Sequence, residues 1–160
     1  MCSSDLAVAA ETSFSACAAA AMSIAEAARA VARDEVDVAL AGGHDSMIHP
    51  IGILSFVVLG ALSTSVSRPF DRHRDGFLLG EGAAILRLEA EADARARGAP
   101  ILARWLGGGT SVDAHNVTAP HPEGHGAALA MRRALADAGI RSEEHTSELQ
   151  SPCNLVCRLL

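Results

Sequence analysis

Apolar residues gather from Ala7 to Phe14, give way to Ser15-Ala16-Cys17, and recur at Ala18, Met22, Ala25 and Ala28 in an alanine-rich stretch that runs to Arg33. That pattern predicts a short strand, a sharp turn and a helix whose small side chains allow close packing on a neighbour. Val36 to Ala41, followed by Gly42-Gly43, predicts a strand ending in a turn. Pro50 to Leu62 is short and apolar and opens with a proline suited to a first helical turn, so it predicts a buried helix. Ser63 to Gly80 reads as polar loop. Then come a strand over Gly82 to Leu88, a short amphipathic helix over Glu89 to Arg97 stopped at Gly98, and a strand over Ile101 to Leu106 leading into Gly107-Gly108-Gly109. After another polar loop, Gly126 to Ala138 predicts a helix closed by Gly139. Strand, helix and strand alternate twice, which points to the α/β class.

Composition narrows the function. The 160 residues are 49% hydrophobic and 20% charged, as a folded domain requires. All 13 basic residues are arginines against 19 acidic ones, for a net charge of -6, so no basic surplus exists to hold nucleic acid or an anionic membrane. The longest apolar run, Ile51 to Leu62, is broken by Gly52, Ser55 and Gly60 and is short of the roughly 20 residues that span a bilayer. The first residues lack a basic segment followed by an apolar one, so no secretory signal is expected and a cytoplasmic location is the default.

The two ends read as foreign. Arg141 to Ser151 resembles, codon for codon, a translation of a common sequencing-adapter DNA, and Cys2 to Leu6 resembles the opposite adapter end. Residues 1–6 and 141–160 are therefore expected to be adapter-derived, with 7–140 the biological part. Cys2, Cys153 and Cys157 fall in the suspect ends, leaving Cys17, so neither a disulfide framework nor a zinc cluster built on Cys153, Cys157 and His145 is expected.

Cys17 lies between a predicted strand and the first turn of a helix, where unpaired N–H groups and partial positive charge favour a thiolate. The flanking Ala16, Ala18, Ala19 and Ala20 leave room for a bulky thioester, and the Cys17 N–H could donate to a developing oxyanion. A buried cysteine acting as a small hydrophobe fits the same spacing. Around it, Ser15-Ala16-Cys17-Ala18-Ala19-Ala20, Ala41-Gly42-Gly43, Pro50-Ile51-Gly52, Ala61-Leu62-Ser63, Arg68-Pro69-Phe70-Asp71, Arg74-Asp75-Gly76-Phe77, Gly80-Glu81-Gly82-Ala83 and Thr118-Ala119-Pro120 occur in an order and with gaps that resemble the middle of a β-ketoacyl-[acyl-carrier-protein] synthase. The resemblance covers essentially all of 7–140 and is nearest to the elongating, type II-like branch and to bacterial polyketide ketosynthases.

The resemblance implies a thiolase-like α/β/α/β/α layered fold, of which this chain would be an incomplete fragment holding the end of the first half and the start of the second. It implies a parent acyltransferase that works as a homodimer in fatty-acid or polyketide synthesis, takes its substrates as phosphopantetheine thioesters of an acyl carrier protein, and has no metal or organic cofactor of its own. In that reaction a cysteine matching Cys17 accepts an acyl chain, and decarboxylation of a malonyl thioester generates the carbanion that attacks the acyl-enzyme. Phe56 matches an aromatic position lining the acyl pocket, and Thr118 a threonine that hydrogen-bonds the pantetheine arm. The family's two catalytic histidines belong to a later His-Gly-Thr-x-Thr segment and a later Gly-His segment, so the chain is expected to lack them and to be inactive alone. Ser15 stands where threonine is usual, and the loop from Ser63 to Arg68 is shorter than in many relatives. Two other functions remain in view: a thiolase-superfamily acyltransferase using coenzyme A, disfavoured by the RPFD, RDGF and GEGA blocks, and a non-catalytic α/β piece. A chain-length partner subunit would lack the nucleophile, which Cys17 disfavours.

His115, His121 and His125 with Glu123 suggest a zinc site, but Pro120 and Pro122 put them on a loop with no shared helical face, and no metal is expected. His115 and Asn116 are expected to tune access at the mouth of the acyl tunnel, and His44, His49, His73 and His125 to be ordinary surface residues. None of the glycine clusters fits a phosphate-binding pattern, and the chain has no lysine. Arg68, Asp71, Arg72, Arg74 and Asp75 are expected to form a charged structural loop.

Overall fold

Alanine at three- and four-residue spacing produces helix α1 over Ala19–Ala32, entered directly from a 3-10 turn at Ala16–Ala18. The structure, a computed structural model, describes residues 10–116, 119–141 and, as backbone, 155–159. It contains strand β1 at Val38–Ser46, helix α2 at Pro50–Val58, strand β2 at Glu81–Glu89, helix α3 at Glu91–Ala96, strand β3 at Ala103–Gly108, helix α4 at His125–Ala138 and strand β4 at Leu155–Leu159. β1 pairs with β2, and β3 pairs antiparallel with β4 from Ala103↔Leu159 to Gly108↔Leu155. The alternation of helices and strands agrees with the predicted α/β class.

Contacts divide the chain into two compact units, one holding residues up to 41 and from 86 onward, the other residues 42–85. In the first unit β3 is approached by α4 and α1. The buried residues there are small: Ala25, Ala28, Ala130 and Ala134, the last two with no exposed surface. Glycines at the end of β3 allow that approach. A Cβ at Gly107 would stand 2.5 Å from the Ala138 nitrogen, and one at Gly109 would run into the Ala130 carbonyl oxygen and lie 2.5 Å from the Ala134 nitrogen. Gly108 is gripped from both sides: its N–H donates to the Asp137 carboxylate at 2.8 Å, and its carbonyl accepts from Arg29 Nη2 at 3.3 Å. α4 ends at Gly139, whose φ of 66° is the left-handed conformation that closes a helix at little steric cost.

The second unit is organised by hydrogen bonds between the segments Ala61–Ser63 and Gly76–Phe77. Phe77 N–H donates to the Ala61 carbonyl at 3.1 Å, and Ser63 N–H to the Phe77 carbonyl at 3.0 Å. Buried Ser63 accepts through Oγ from the Ser65 and Val66 N–H groups at 3.2 Å each. α2 starts at Pro50 as expected, and His49 Nδ1 caps it by accepting from the Gly52 N–H at 3.2 Å, a role beyond the surface placement expected for His49.

Four expectations for the elements change, the first being the buried helix over Pro50 to Leu62: α2 ends at Val58 and only Gly52 on it is buried. Residues 10–14 of the predicted strand 7–14 are not in a strand, and 7–9 lie outside the described residues. A strand exists only where a neighbour pairs with it, and local apolarity does not supply the neighbour. The turn expected at Gly42-Gly43 is strand instead, because Gly42 lets the Ala84 carbonyl oxygen of β2 come where a Cβ would be. For the same reason β3 continues through Gly107 and Gly108 rather than ending at Leu106.

Candidate active site

Cys17 sits in the middle of the 3-10 turn, exposed, directly ahead of α1. The Ala18 N–H donates to the Ser15 carbonyl at 2.9 Å, and the Ala19 N–H to the Ala16 carbonyl. Closing so tight a turn drives Ala16 to φ +43°, a region that non-glycine residues rarely occupy. Such strain persists where surrounding structure enforces it and concentrates at reactive sites. No acidic residue lies in the first turn of α1, so no carboxylate opposes an anion there. The turn and helix expected around Cys17 are both present, and the thiol is at the surface rather than buried as a small hydrophobe.

Phe56 lies on α2 in the second unit, half-buried, its ring edge-to-face with Phe77 at 5.4 Å between centroids and 79° between planes. The Arg-Asp-Gly-Phe block thus places one aromatic ring against another. Thr118 lies outside the described residues. Arg68, Asp71, Arg72 and Arg74 do not pair with one another through their charged groups among the described residues. Instead the His73 N–H donates to Asp71 Oδ1 at 2.7 Å, Arg74 Nη1 to the Asp71 carbonyl at 3.0 Å, and Arg72 Nε to His73 Nε2 at 2.9 Å. That is a self-bonded loop, as expected for a structural role.

The loop before α4 differs most from expectation. Ser111 Oγ donates to the Gly126 carbonyl at 2.6 Å, Arg133 Nη1 to the Thr110 carbonyl at 2.6 Å, and the His121 N–H to Asp113 Oδ2 at 2.5 Å. These bonds fold the loop back on the first turns of α4 and gather its imidazoles. The His115 and His121 rings meet edge-to-face at 4.7 Å, and those of His121 and His125 stack at 4.3 Å. Ligand-capable atoms of His121, Glu123 and His125 lie within 4.8 Å of one another. A shared helical face was never needed, because the loop's own hydrogen bonds do the gathering. The expectation that the chain lacks catalytic histidines is corrected by this cluster: His121 and His125, side chains of catalytic type, are present and close together beside a carboxylate. Two histidines, each two positions from Glu123, with Pro122 and Gly124 between to turn the chain, are the signal the sequence offered and that the lack of a helical face set aside.

Elsewhere in the first unit, carboxylates are held by arginines. Glu89 accepts from Arg97 and Arg87, whose guanidinium groups bring its pKa down to about 2. Glu91 is lowered by Arg95 and Arg104, each at 2.6 Å. Both clusters tie the ends of the short helix α3 to adjacent strands.

The exposed thiol on its strained turn therefore stands at the head of a helix within an α/β scaffold. The family model described as the N-terminal domain of beta-ketoacyl synthase matches residues 5–94, and the chain belongs to that family. It is 47% identical over 135 residues to 3-oxoacyl-[acyl-carrier-protein] synthase II, chloroplastic, of Arabidopsis thaliana, covering 81% of this chain and 25% of that protein. It is 44% identical over 127 residues to 3-oxoacyl-[acyl-carrier-protein] synthase 2 of Vibrio cholerae, covering 76% of this chain and 31% of that one. Among solved structures, the ishigamide ketosynthase/chain length factor superposes with a TM-score of 0.75 at 45% identity over 80% of this chain and 31% of its own. A type II polyketide synthase acyl-carrier protein in complex with its ketosynthase, AntDE:AntF, gives 0.77 at 34% identity over 79% of this chain and 33% of its own. The chain thus spans about a quarter to a third of the length of these relatives. The thiolase-like α/β fold expected from the sequence is the fold these structures share with it. Among the described residues, no helix is long and apolar enough to cross a membrane.

Proposed function

We propose that the protein from which this chain comes catalyses decarboxylative condensation in fatty-acid or polyketide synthesis, with Cys17 as its nucleophile. The carrying observation is the exposed thiol on the strained turn at Ala16–Ala18. Cys17 Sγ attacks the acyl carbonyl of a phosphopantetheine thioester, the new C–S bond forms as the old one breaks, and the carrier leaves as its thiol. The Cys17 N–H donates to the transient oxyanion. A malonyl thioester then loses carbon dioxide, its carbanion attacks the acyl-enzyme carbonyl, and the cysteine sulfur departs as the β-ketoacyl carrier forms. Phe56 lines the acyl chain's path and Thr118 holds the pantetheine arm. The partner is an acyl carrier protein, the working form a homodimer, and the compartment the cytoplasm. The carrier is supported by the similar ketosynthase that is found in complex with an acyl-carrier protein.

Mass spectrometry of the full-length enzyme after incubation with an acyl carrier thioester tests the nucleophile. The expected result is one acyl adduct on the Cys17 peptide, absent in Cys17→Ala. An adduct retained in Cys17→Ala overturns the assignment, and loading from acyl-coenzyme A but not from the carrier points to the coenzyme A-dependent branch of the superfamily.

Residues 7–140 are the ketosynthase part of the chain, and 1–6 and 141–160 are adapter-derived. Strand β4 within 155–159 is compatible with this, since an open strand edge such as that of β3 accepts backbone pairing without particular side chains. Sequencing the source DNA across the codons for Leu6 and Ala7 and for Ile140 and Arg141 checks the boundaries. Continuation into ketosynthase coding supports them, and confirmation of the tails as written removes them.

A further inference from the structure

We propose that His121, Glu123 and His125 form a binding site for a divalent transition-metal ion of the zinc class. The three side chains offer two imidazole nitrogens and one carboxylate oxygen within 4.8 Å of one another, a separation that small rotamer changes close onto a common centre. The donor set selects the ion. Two imidazoles and a carboxylate suit zinc, cobalt, nickel or copper, whereas calcium and magnesium take oxygen ligands throughout.

The site is also partly assembled. His121 Nδ1 accepts from the Glu123 N–H at 3.2 Å, which holds the ring beside Glu123; an ion takes the place of this bond at Nδ1, or binds Nε2 once the ring proton has moved from Nε2 to Nδ1. His125 Nε2 already stands 2.9 Å from Glu123 Oε2, so the ion takes the place of the shared proton between them. Asp113 Oδ2 holds the His121 N–H, and the Gly126 position keeps Asp113 close, since a Cβ there would lie 2.9 Å from Asp113 Oδ1. His115 lies edge-on to His121 at 4.7 Å between ring centres, outside the three-residue group, and water would complete the coordination.

One term opposes binding: His125 opens α4, and the positive end of a helix repels a cation. The Glu123 carboxylate offsets it. Because Glu123 and His125 are exposed, the site is a surface clamp with a position open to solvent rather than a buried structural centre. An ion here would join the loop between Asp113 and Gly124 to the first turn of α4, and Thr118 lies in that loop's sequence.

The test is titration of the full, tag-free chain with cobalt(II), read by its visible absorption, and with zinc(II), read calorimetrically. One ion per chain is expected. His121→Gln and His125→Gln should each weaken binding by about tenfold or more, while His73→Gln and the double change Cys153→Ser/Cys157→Ser should leave it unchanged. Circular dichroism confirms that the variants stay folded. In the unaltered chain, zinc should protect His121 and His125 from diethyl pyrocarbonate while leaving His44 and His73 reactive. Affinity unchanged in both histidine variants, binding that follows Cys153 and Cys157, or no binding and no protection at roughly 0.1 mM zinc would each overturn the proposal.

Discussion

Helices α4 and α2 each belong to one compact unit, and they use their side chains in opposite ways. α4 turns Ala130 and Ala134 inward, both without exposed surface, against a β3 whose glycines admit the helix backbone. α2 is apolar nearly all round, yet Ile51 is 75% exposed and Val58 78% exposed, and only Gly52 on it is buried. A helix that is hydrophobic on every side belongs in an interior. The first unit therefore packs one face of α4 against β3 through small residues, although its Leu102 and Val112 are 78% and 87% exposed, whereas α2 in the second unit buries almost none of its apolar surface.

The contrast can be broken most sharply at Gly109. Gly109→Ala pushes a Cβ into the backbone of α4 and should cost about 3 kcal/mol in urea unfolding of the first unit. Next in size, Ala134→Leu should cost about 1–3 kcal/mol by overpacking the same contact. On α2, Ile51→Glu with Val58→Glu should change stability by no more than about 0.5 kcal/mol and should sharply lower the fluorescence of a hydrophobic dye. A large loss of stability there would mean that α2 is covered in solution. The smallest effect concerns charge. Glu89 is held down to about 2 from 4.5, so its ion pairs with Arg97 and Arg87 stabilise the folded state above pH 4.5, and that contribution fades as pH falls toward about 2. Acid titration of Glu89→Gln should show a shallower loss across that window, and an unchanged profile would remove the pair from the account.

What could be read from the chain alone follows the same division between local and long-range causes. The positions of α1, α2 and α4 are written in alanine and leucine spacing, in Pro50 and in Gly139, because helices are made from neighbours in sequence. The turn at Cys17 and the helix after it were legible for that reason, although the left-handed Ala16 carries no compositional mark. Gly42 and Gly107 misled because glycine marks a turn when read locally. Here each makes room for a carbonyl or nitrogen from a distant segment, Ala84 in one case and Ala138 in the other. The histidines were visible as a spacing but their assembly was not, since Ser111, Asp113 and Arg133 fold the loop through bonds spanning 8 to 23 residues.

Gly108 has a mechanical consequence. Its N–H is tied to Asp137 on α4 and its carbonyl to Arg29 on α1, so one residue acts as a rivet between two levers. One lever begins beside Cys17 and the other begins at His125. Both helices are thus pinned near their C-terminal ends to one strand residue, so a variant that shifts Gly108 should move both helices together.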